Sequence, residues 1–294
     1  MTWWEALVLG LIEGITEYLP ISSTGHLILA ASLLGLDEPA ATRDAVNAFL
    51  IIIQGGAILA VLGLYRHRVA EMARGVATRR GPGLKLATNL LISFLPAAVI
   101  GVLLDEVIER YLFYPGPVLS ALLVGGVAML LIGRWQRQVF HDAADEQLDA
   151  TSFVDIEHLT WRRALLIGLL QCFAMWPGLS RSMMTIVAGM MVGMRPRHAA
   201  EYSFLLGLPT LGGACVYRAV QIFGQEGDPI AVLGGWLPIT VGLVAATISA
   251  ALAVKWLVSY LTRHGLALFG WYRIGLTIVF AVLIAQGWVA LAPA

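Results

Sequence analysis

The chain has 294 residues, of which 59% are hydrophobic and only 13% are charged, and its formal net charge is zero. A typical soluble domain is about 25% charged, so this composition excludes an ordinary soluble enzyme and indicates a protein embedded in membrane lipid. The neutral balance gives no basis for a nucleic-acid partner, and we expect none.

The first predicted element is a re-entrant helical hairpin at residues 3–36. This segment is apolar and longer than the roughly 20 residues that one span needs, but Pro20 and the polar run 22–26 interrupt its middle. Irregular backbone at membrane depth is tolerated only where protein or water surrounds it. We therefore expect two short helices joined by a buried turn, with an ordinary kinked span as the alternative.

A second interrupted segment, residues 160–194, predicts another re-entrant hairpin, broken at 177–182. Six further stretches are long and apolar enough to span a bilayer. These predicted spans are 46–65, 86–104, 117–133, 200–221, 231–256 and 267–289. The predicted fold is an all-α polytopic membrane protein, a single integral domain with six transmembrane helices and two re-entrant hairpins.

The hairpins begin two similar halves, about 1–135 and 160–294, which a linker at 136–159 joins. Three pairs of residues share an offset of 157, namely Pro20 with Pro177, Ser23 with Ser180, and Gly55 with Gly212. Each half holds one hairpin and three spans, and an odd number of spans inverts the second half in the membrane. Such an inverted-topology repeat brings broken helices together near the bilayer midplane.

Lysine and arginine residues predict the orientation, because they are enriched in cytoplasmic loops. They cluster at 66–85, 134–163, 195–197 and 255–263. We place these segments in the cytoplasm, which puts both termini outside. The first hairpin then enters the bilayer from outside and the second from the cytoplasm.

Two carboxylates, Glu13 and Glu17, are four residues apart and so share one face of the first predicted helix. Like charges at this spacing repel each other, and carboxylates inside a membrane are costly. Mg²⁺ or Ca²⁺ is the simplest compensating partner, because both cations prefer oxygen ligands. A nearby arginine is the second option, and one protonated, hydrogen-bonded glutamate is the third.

The break in each hairpin predicts a site for an anion. In the first hairpin, polar residues 22–24 follow Pro20 and can cap the second arm. A helix N-terminus offers free N–H groups and a positive dipole end, which together bind anions. The second hairpin places Ser180 and Ser182 on either side of Arg181, whose guanidinium can bind phosphate oxygens bidentately. We expect the two turns to converge on one phosphate or diphosphate.

A histidine and a hydroxyl complete the parts needed for phosphoryl transfer. His26 lies three residues after Ser23 and can act as an acid or a base near neutral pH. Gln54, inside a predicted span, either reaches the site or forms a helix–helix hydrogen bond. For Arg273, inside the last predicted span, a structural role is favoured over catalysis.

Both hairpins resemble the undecaprenyl-diphosphate phosphatases, the bacitracin-resistance proteins of bacteria. Residues 13–26, EGITEYLPISSTGH, are similar to the glutamate-rich motif of that family, and residues 177–185, PGLSRSMMT, are similar to its second motif. The resemblance covers essentially the whole chain in length, order and hydropathy. Both motifs are long and match without a break, so the signal is strong.

The resemblance implies hydrolysis of undecaprenyl diphosphate to undecaprenyl phosphate and phosphate, which recycles the lipid carrier of cell-wall synthesis. It also implies divalent-cation dependence and a bacterial plasma-membrane protein whose site faces the extracytoplasmic side. The residues it implies are Glu17, Ser23, His26 and Arg181 as the core, with Glu13, Thr24, Ser180 and Thr185 in support. To these we add Ser22, Ser182 and Gln54 as candidates for binding the polyprenyl diphosphate substrate.

The roles follow from the chemistry of the side chains. Arg181 and the helix N-termini hold the diphosphate, and the two glutamates hold the cation or serve as base. Ser23 is the expected nucleophile, which His26 activates unless it instead protonates the leaving group. Direct attack by water that Glu17 positions is an open alternative, and so is a transporter or flippase that binds lipid phosphates without cutting them. The sequence leaves both a monomer and a homodimer open.

Overall fold

The computed structural model of the chain describes residues 1–36, 40–112, 114–145, 153–223 and 234–289. All secondary structure in these ranges is helical. The α-helices are α1 (Trp3–Glu17), α2 (Ser23–Leu33), α3 (Ala40–Leu64), α4 (Arg66–Thr78), α5 (Gly81–Leu112), α6 (Pro115–Asp145), α7 (Trp161–Gln171), α8 (Arg181–Met191), α9 (Pro196–Phe223), α10 (Trp236–Leu261) and α11 (Ala267–Ala285). Two short 3₁₀ helices lie at Ile156–His158 and Cys172–Met175.

Five helical segments in the described part of the chain are long and apolar enough to cross a membrane, which makes this a polytopic membrane protein. They are Val46–Leu64, Gly81–Ile108, Pro115–Trp135, Trp236–Leu261 and Ala267–Ala285. Each corresponds to one of the predicted spans. The first three residues of the predicted span 231–256 lie outside the described residues.

The sixth predicted span, 200–221, lies within helix α9 but is not among those five segments. Glu201, Ser203 and Pro209 make this helix less apolar than the others. Residues 202–206 are all buried, and α9 packs against α3, α5 and α8. A helix enclosed by protein can carry polar residues that lipid would disfavour. The count of six spans therefore stays a prediction.

Each predicted hairpin is a helix–turn–helix unit. The first consists of α1, a turn at 18–22 and α2, and the second of α7, a 3₁₀ turn, a turn at 176–180 and α8. The second break begins earlier than predicted, because regular helix ends at Gln171. Trp176 is extended, with φ −71° and ψ 106°, as the residue before a proline prefers.

Two segments predicted as loops contain helix. Residues 66–78 of the basic segment form α4, which Arg68 ties to neighbouring elements through Glu157 at 2.9 Å and Glu201 at 3.4 Å. Helix α6 extends to Asp145, well into the predicted linker 136–159. A helix can continue past the bilayer surface where its residues tolerate water, so apolar length alone did not predict its end. Residues 146–152 of that linker lie outside the described residues.

Small residues bring α1 unusually close to α10. Gly10 and Gly14 are four residues apart and face α10, where a Cβ on either would overlap main-chain atoms of Gly242 or Ala246. Close packing through small residues is a common way for helices to associate in membranes, where the hydrophobic effect does not drive them together. The packing fixes α1, and with it the two carboxylates that α1 carries.

Candidate active site

Both hairpin turns end on a serine with the same unusual backbone. Ser22 has φ 71° and Ser180 has φ 76°, a region that residues other than glycine seldom occupy. Each serine Oγ accepts a hydrogen bond from the amide three residues on, Gly25 N and Met183 N, both at 3.3 Å. The capping serines are thus 158 residues apart, one more than the predicted pairing of Ser23 with Ser180, and the residue that matches Ser23 is Arg181.

The site is centred on Glu17, which joins the two hairpins. Its Oε1 lies 2.9 Å from Nη2 of Arg181, and its Oε2 accepts a hydrogen bond from Oγ of Ser23 at 2.7 Å. Glu17 is buried, and the Arg181 side chain is largely buried. The predicted convergence of the two turns is therefore observed at these three side chains, with one carboxylate bridging a hydroxyl and a guanidinium.

The guanidinium of Arg181 is held on several sides. Nη1 donates to the main-chain oxygen of Ser203 at 3.1 Å, and the Tyr18 ring lies 5.4 Å from Cζ. Gly207 leaves room for the guanidinium, because a Cβ there would lie 3.2 Å from both Nη atoms. Nε of Arg181 is buried without a hydrogen-bond partner. The guanidinium is thus fixed in place, and one of its three nitrogens has no partner.

Glu13 lies one helical turn before Glu17 and is 1% exposed. Its Oε1 is buried and has no hydrogen-bond partner. Glu13 and Glu17 together carry two formal negative charges when ionised, against one positive charge on Arg181. A buried carboxylate without a partner is costly, so this arrangement favours either a further positive partner at Glu13 or the protonated form of its carboxyl group.

A chain of hydroxyl groups links the second hairpin to its surroundings. Ser182 Oγ donates to the main-chain oxygen of Leu19 at 2.9 Å, which joins the two turns directly, and lies 3.0 Å from Oγ of Ser180. Thr185 Oγ1 donates to the main-chain oxygen of Arg181 at 2.9 Å and lies 2.6 Å from Oγ of Ser203. These predicted binding residues therefore brace the turn that carries Arg181.

His26 lies in the first turn of α2, but its ring nitrogens bond neither Ser23 nor Glu17. Nδ1 lies 2.7 Å from the main-chain oxygen of Ser22, and Nε2 lies 2.7 Å from the hydroxyl of Tyr272. Because a carbonyl oxygen only accepts, Nδ1 carries the proton, and Nε2 of the neutral ring accepts from Tyr272. The catalytic role of His26 stays a prediction.

The other predicted residues lie nearby or are engaged elsewhere. Thr24 is the second residue of α2 and is partly buried. Gln54 Oε1 lies 3.7 Å from Sγ of Cys215, so its observed contact joins α3 to α9. This contact is the helix–helix option for Gln54, and its role in binding substrate stays a prediction.

Sequence reasoning missed three contributors to the site. Ser203 contacts Arg181 through its main chain, and Gly207 acts through the absence of a side chain, so neither contact has a motif. Tyr272 is 246 residues from His26, and its adjacency to Arg273 inside an apolar span was the only available signal.

The residues present fit a divalent cation that binds together with a phosphate group. Among the described residues no group of three or more His, Cys, Asp or Glu side chains could hold a metal ion. Mg²⁺ commonly uses only one or two carboxylates and completes its shell with water and substrate phosphate oxygens. The unpartnered Oε1 of Glu13, beside Glu17, is an oxygen of the kind that such a cation binds.

The arrangement can bind and activate a phosphate ester or anhydride. Phosphoryl transfer depends mainly on positioning the reacting groups and neutralising charge. Here a serine hydroxyl bonds one oxygen of a carboxylate, and a fixed arginine pairs with the other oxygen. The fold and the site together define a class: an integral membrane protein with an active-site arrangement for phosphoryl chemistry.

Comparison with known proteins identifies the family. Residues 6–279 match the family model described as "Bacitracin resistance protein BacA". The chain therefore belongs to the BacA family.

Similar proteins named undecaprenyl-diphosphatase occur in several bacteria. The one from Sorangium cellulosum is 44% identical over 277 residues, which cover 94% of this chain and 84% of the relative. The one from Azotobacter vinelandii is 42% identical over 285 residues, or 97% of this chain and 93% of the relative. The one from Pseudomonas fluorescens is 40% identical over 288 residues, or 97% and 95%.

Proposed function

We propose that this chain hydrolyses undecaprenyl diphosphate to undecaprenyl phosphate and inorganic phosphate, and so recycles the lipid carrier of bacterial cell-wall synthesis. The BacA family match and the names of its relatives support this function. The observation that carries it is the bridge from Ser23 Oγ through the Glu17 carboxylate to the Arg181 guanidinium. Such a bridge places a nucleophile, a base and an anion-binding cation within one head group's reach.

The diphosphate binds between the two hairpin turns. Arg181 supplies its guanidinium from one side, and the free N–H groups at the start of α2 supply donors from the other. The phosphate oxygens compete with Glu17 for Arg181, so binding loosens the ion pair and frees the carboxylate. The unused Nε of Arg181 is a further donor for the substrate.

The Ser23 hydroxyl attacks the terminal phosphorus. Its proton passes to Glu17, the bond from Oγ to phosphorus forms, and the bond from phosphorus to the bridging oxygen breaks. Undecaprenyl phosphate leaves with the electron pair of that bond. Water then hydrolyses the phosphoserine and releases phosphate, which restores the hydroxyl. The alternative is direct attack by a water molecule that Glu17 orients.

Glu13 and Glu17 would hold the divalent cation. When bound, Mg²⁺ or Ca²⁺ neutralises the diphosphate charge and orients its oxygens. The two carboxylates would also give the site negative charge when no substrate is present, so that it binds a cation in preference to a second anion.

The transmembrane arrangement supports a site within the bilayer. Helices α1, α2, α7 and α8 have 15, 11, 11 and 11 residues, fewer than the roughly 20 that a span needs. We propose that they form two re-entrant hairpins, that α9 is the sixth span, and that the site faces the extracytoplasmic side of the inner membrane. The 28 residues of α9 give it sufficient length.

Paired contacts support the inverted repeat. Helix α1 packs on α10 through Gly10, and α7 packs on α5 through Gly168, where a Cβ would overlap the Ser93 backbone. Gly10 and Gly168 are 158 residues apart, the same offset as the capping serines. Gly126 of α6 and Gly270 of α11 each approach the other's main-chain oxygen, so the third predicted span of one half packs on the third of the other.

Phosphate release from undecaprenyl diphosphate by the purified chain in detergent tests the proposed function. We expect equal amounts of phosphate and undecaprenyl phosphate, and loss of activity on chelation that Mg²⁺ or Ca²⁺ restores. Ser120→Ala is a matched control, because this exposed hydroxyl bonds only its own helix backbone. Substrate that binds without release of phosphate would contradict hydrolysis and favour the transporter alternative, which the names of the relatives do not support.

Trapping with substrate labelled in the terminal phosphate separates the two forms of attack. A serine nucleophile predicts labelled protein after acid quenching, absent in Ser23→Ala. Rapid turnover with no label in the wild-type chain indicates direct attack by water.

Cysteine labelling tests the orientation in a background without Cys172 and Cys215. A cysteine replacing the exposed Val76 on α4 should react from the cytoplasmic side, and one replacing the exposed Tyr111 at the end of α5 from the outside. Reaction of both from one side would contradict the proposed topology.

A further inference from the structure

Arg273 is a fully buried cation on α11 whose partners are main-chain oxygens. It is 0% exposed, and its five hydrogen bonds all go to carbonyl groups. Within the described part of the chain, no carboxylate lies in salt-bridge range of its guanidinium. Its hydrogen-bond partners are therefore main-chain groups, whose positions it can fix.

Three of those bonds reach both hairpin turns. Nη1 donates to the main-chain oxygen of Leu179 at 3.1 Å and to that of Pro20 at 3.4 Å, and Nη2 donates to that of Gly178 at 2.6 Å. Pro20 and Gly178 each lie two residues before the capping serine of their own turn. One side chain thus bonds the main-chain oxygen at the same position in each turn, two residues before the capping serine.

The other two bonds tie the same guanidinium to α6. Nη2 donates to the main-chain oxygen of Ala121 at 3.0 Å, and Nε to that of Leu122 at 3.3 Å. In a helix, the side chain four residues after a carbonyl group lies over that group and would cover it here. That residue is Gly125, where a Cβ would clash with Nη2. The glycine therefore opens the helix surface to Arg273.

A buried arginine is a poor choice for stability alone. Its desolvation is costly, and a well-packed apolar side chain of similar size is often neutral or better. Carbonyl groups of two turns and one helix, however, can be held together by a planar group with five donors and by few other side chains.

We infer that Arg273 is a positioning residue for the proposed phosphatase reaction: it fixes both turns against α6 and so sets Ser23 and Arg181 on opposite sides of one diphosphate. It touches neither of these side chains and acts through the backbone that leads to each. This inference rests on the proposed function, because the spacing of the turns matters only if both act on one head group.

Steady-state kinetics per folded enzyme tests the inference with Arg273→Ala, Arg273→Lys and the control Thr277→Val. Thr277 lies one turn further along α11, is buried, and its hydroxyl bonds only its own helix backbone. We expect Arg273→Ala to lower kcat at least about 100-fold with KM changed less than about five-fold, since misplaced reacting groups cost rate more than binding. Arg273→Lys should recover part of kcat. The kcat of Thr277→Val should stay within about three-fold of wild type, even where its loss of thermal stability equals that of Arg273→Ala.

Amide hydrogen exchange supplies a readout that does not need activity. In Arg273→Ala, peptides covering 18–25 and 176–183 should exchange faster, while peptides from α3 and α10 should not. If the wild-type chain fails to cleave undecaprenyl diphosphate, the proposed function fails, and the exchange data still decide whether Arg273 orders the turns. Faster exchange throughout the chain would indicate general destabilisation and overturn the inference.

Gly125→Ala tests the same contact from the other side and keeps Arg273 in place. Alone it should lower kcat at least about ten-fold, and in the Arg273→Ala background it should add less than about two-fold, because the two changes act through one contact. A normal kcat in either Arg273→Ala or Gly125→Ala would contradict a positioning role.

Discussion

The two hairpins share one turn geometry and present different chemistry from it. Each turn ends on a serine with positive φ whose hydroxyl accepts from the amide three residues on. The next residue is Ser23 in the first hairpin and Arg181 in the second. The same backbone therefore presents a hydroxyl from one side and a guanidinium from the other, the two groups that holding and cutting a diphosphate requires.

The first arms of the two hairpins also carry different side chains at matching positions. Glu13 and Gln171 both lie nine residues before their capping serine, and both are buried with one unpartnered side-chain oxygen. Glu17 corresponds in the same way to Met175. Acid and nucleophile are thus confined to the first hairpin, and the second supplies the anion-binding charge. The two hairpin turns thus share a backbone geometry and carry complementary groups.

Replacing Arg181 should have the largest effect. Arg181→Ala removes the contribution of the second hairpin and leaves the buried Glu17 unpaired, so we expect kcat/KM to fall at least about 1,000-fold, or about 4 kcal/mol of barrier. Arg181→Lys should recover little, because an ammonium cannot bind oxygens bidentately. Phosphate release measures both, with the exposed Arg162→Ala on the other arm as control. Activity within ten-fold of wild type in Arg181→Ala would mean that the second hairpin does not hold the substrate.

Ser23→Ala and Glu17→Gln test the contribution of the first hairpin. Each breaks the 2.7 Å bond between hydroxyl and carboxylate, and we expect each to lower kcat at least about 100-fold, or about 2.7 kcal/mol. The double variant should be little worse than either single one, because both act on one proton transfer. Ser182→Ala serves as comparison from the second hairpin, with a smaller loss. Additive losses would show that Glu17 does not act on Ser23.

Glu13→Gln should change the cation requirement more than the maximal rate. The amide removes a charge from the proposed metal pair, so the Mg²⁺ concentration at half-maximal activity should rise about ten-fold or more. The mirror variant, Gln171→Glu, should leave that concentration unchanged, because its arm lacks the second carboxylate. A titration of activity against Mg²⁺ checks both. An unchanged requirement in Glu13→Gln would remove Glu13 from the proposed cation site.

Replacing the capping serines should have the smallest effect, and that effect should be the same in both hairpins. Ser22→Ala and Ser180→Ala each lose the capping bond and keep an unfavourable positive φ, so we expect about 1–2 kcal/mol of stability to be lost. Ser22→Gly and Ser180→Gly should lose less, because glycine accepts positive φ freely. Thermal unfolding in detergent compares the four variants. A loss in only one hairpin would contradict the shared geometry.

The sequence predicted the breaks in both hairpins and the meeting of Glu17, Ser23 and Arg181. Prolines, capping residues and charges are disfavoured in a helix that faces lipid. Where they cluster inside an apolar segment, they therefore indicate a buried turn whose charges are paired. The predicted pairing of Ser23 with Ser180 was off by one residue at the caps, since Pro20 lies two residues before its capping serine and Pro177 lies three before. The lengths of α4 and α6 were not predicted, because hydropathy marks the membrane and not the helix. The structural role favoured for Arg273 agrees with its backbone contacts. Two partners were out of reach: Tyr272, which bonds His26, is distant in sequence, and Ser203 bonds Arg181 through a main-chain carbonyl group.

The most direct test of the account is an experimental structure of the chain with a prenyl methylene-bisphosphonate, whose bridging carbon cannot be cleaved. We expect phosphonate oxygens within hydrogen-bond distance of the Arg181 guanidinium and of the first amides of α2, with Ser23 Oγ facing the terminal phosphorus. A head group held by only one hairpin, or bound away from both turns, would contradict the account.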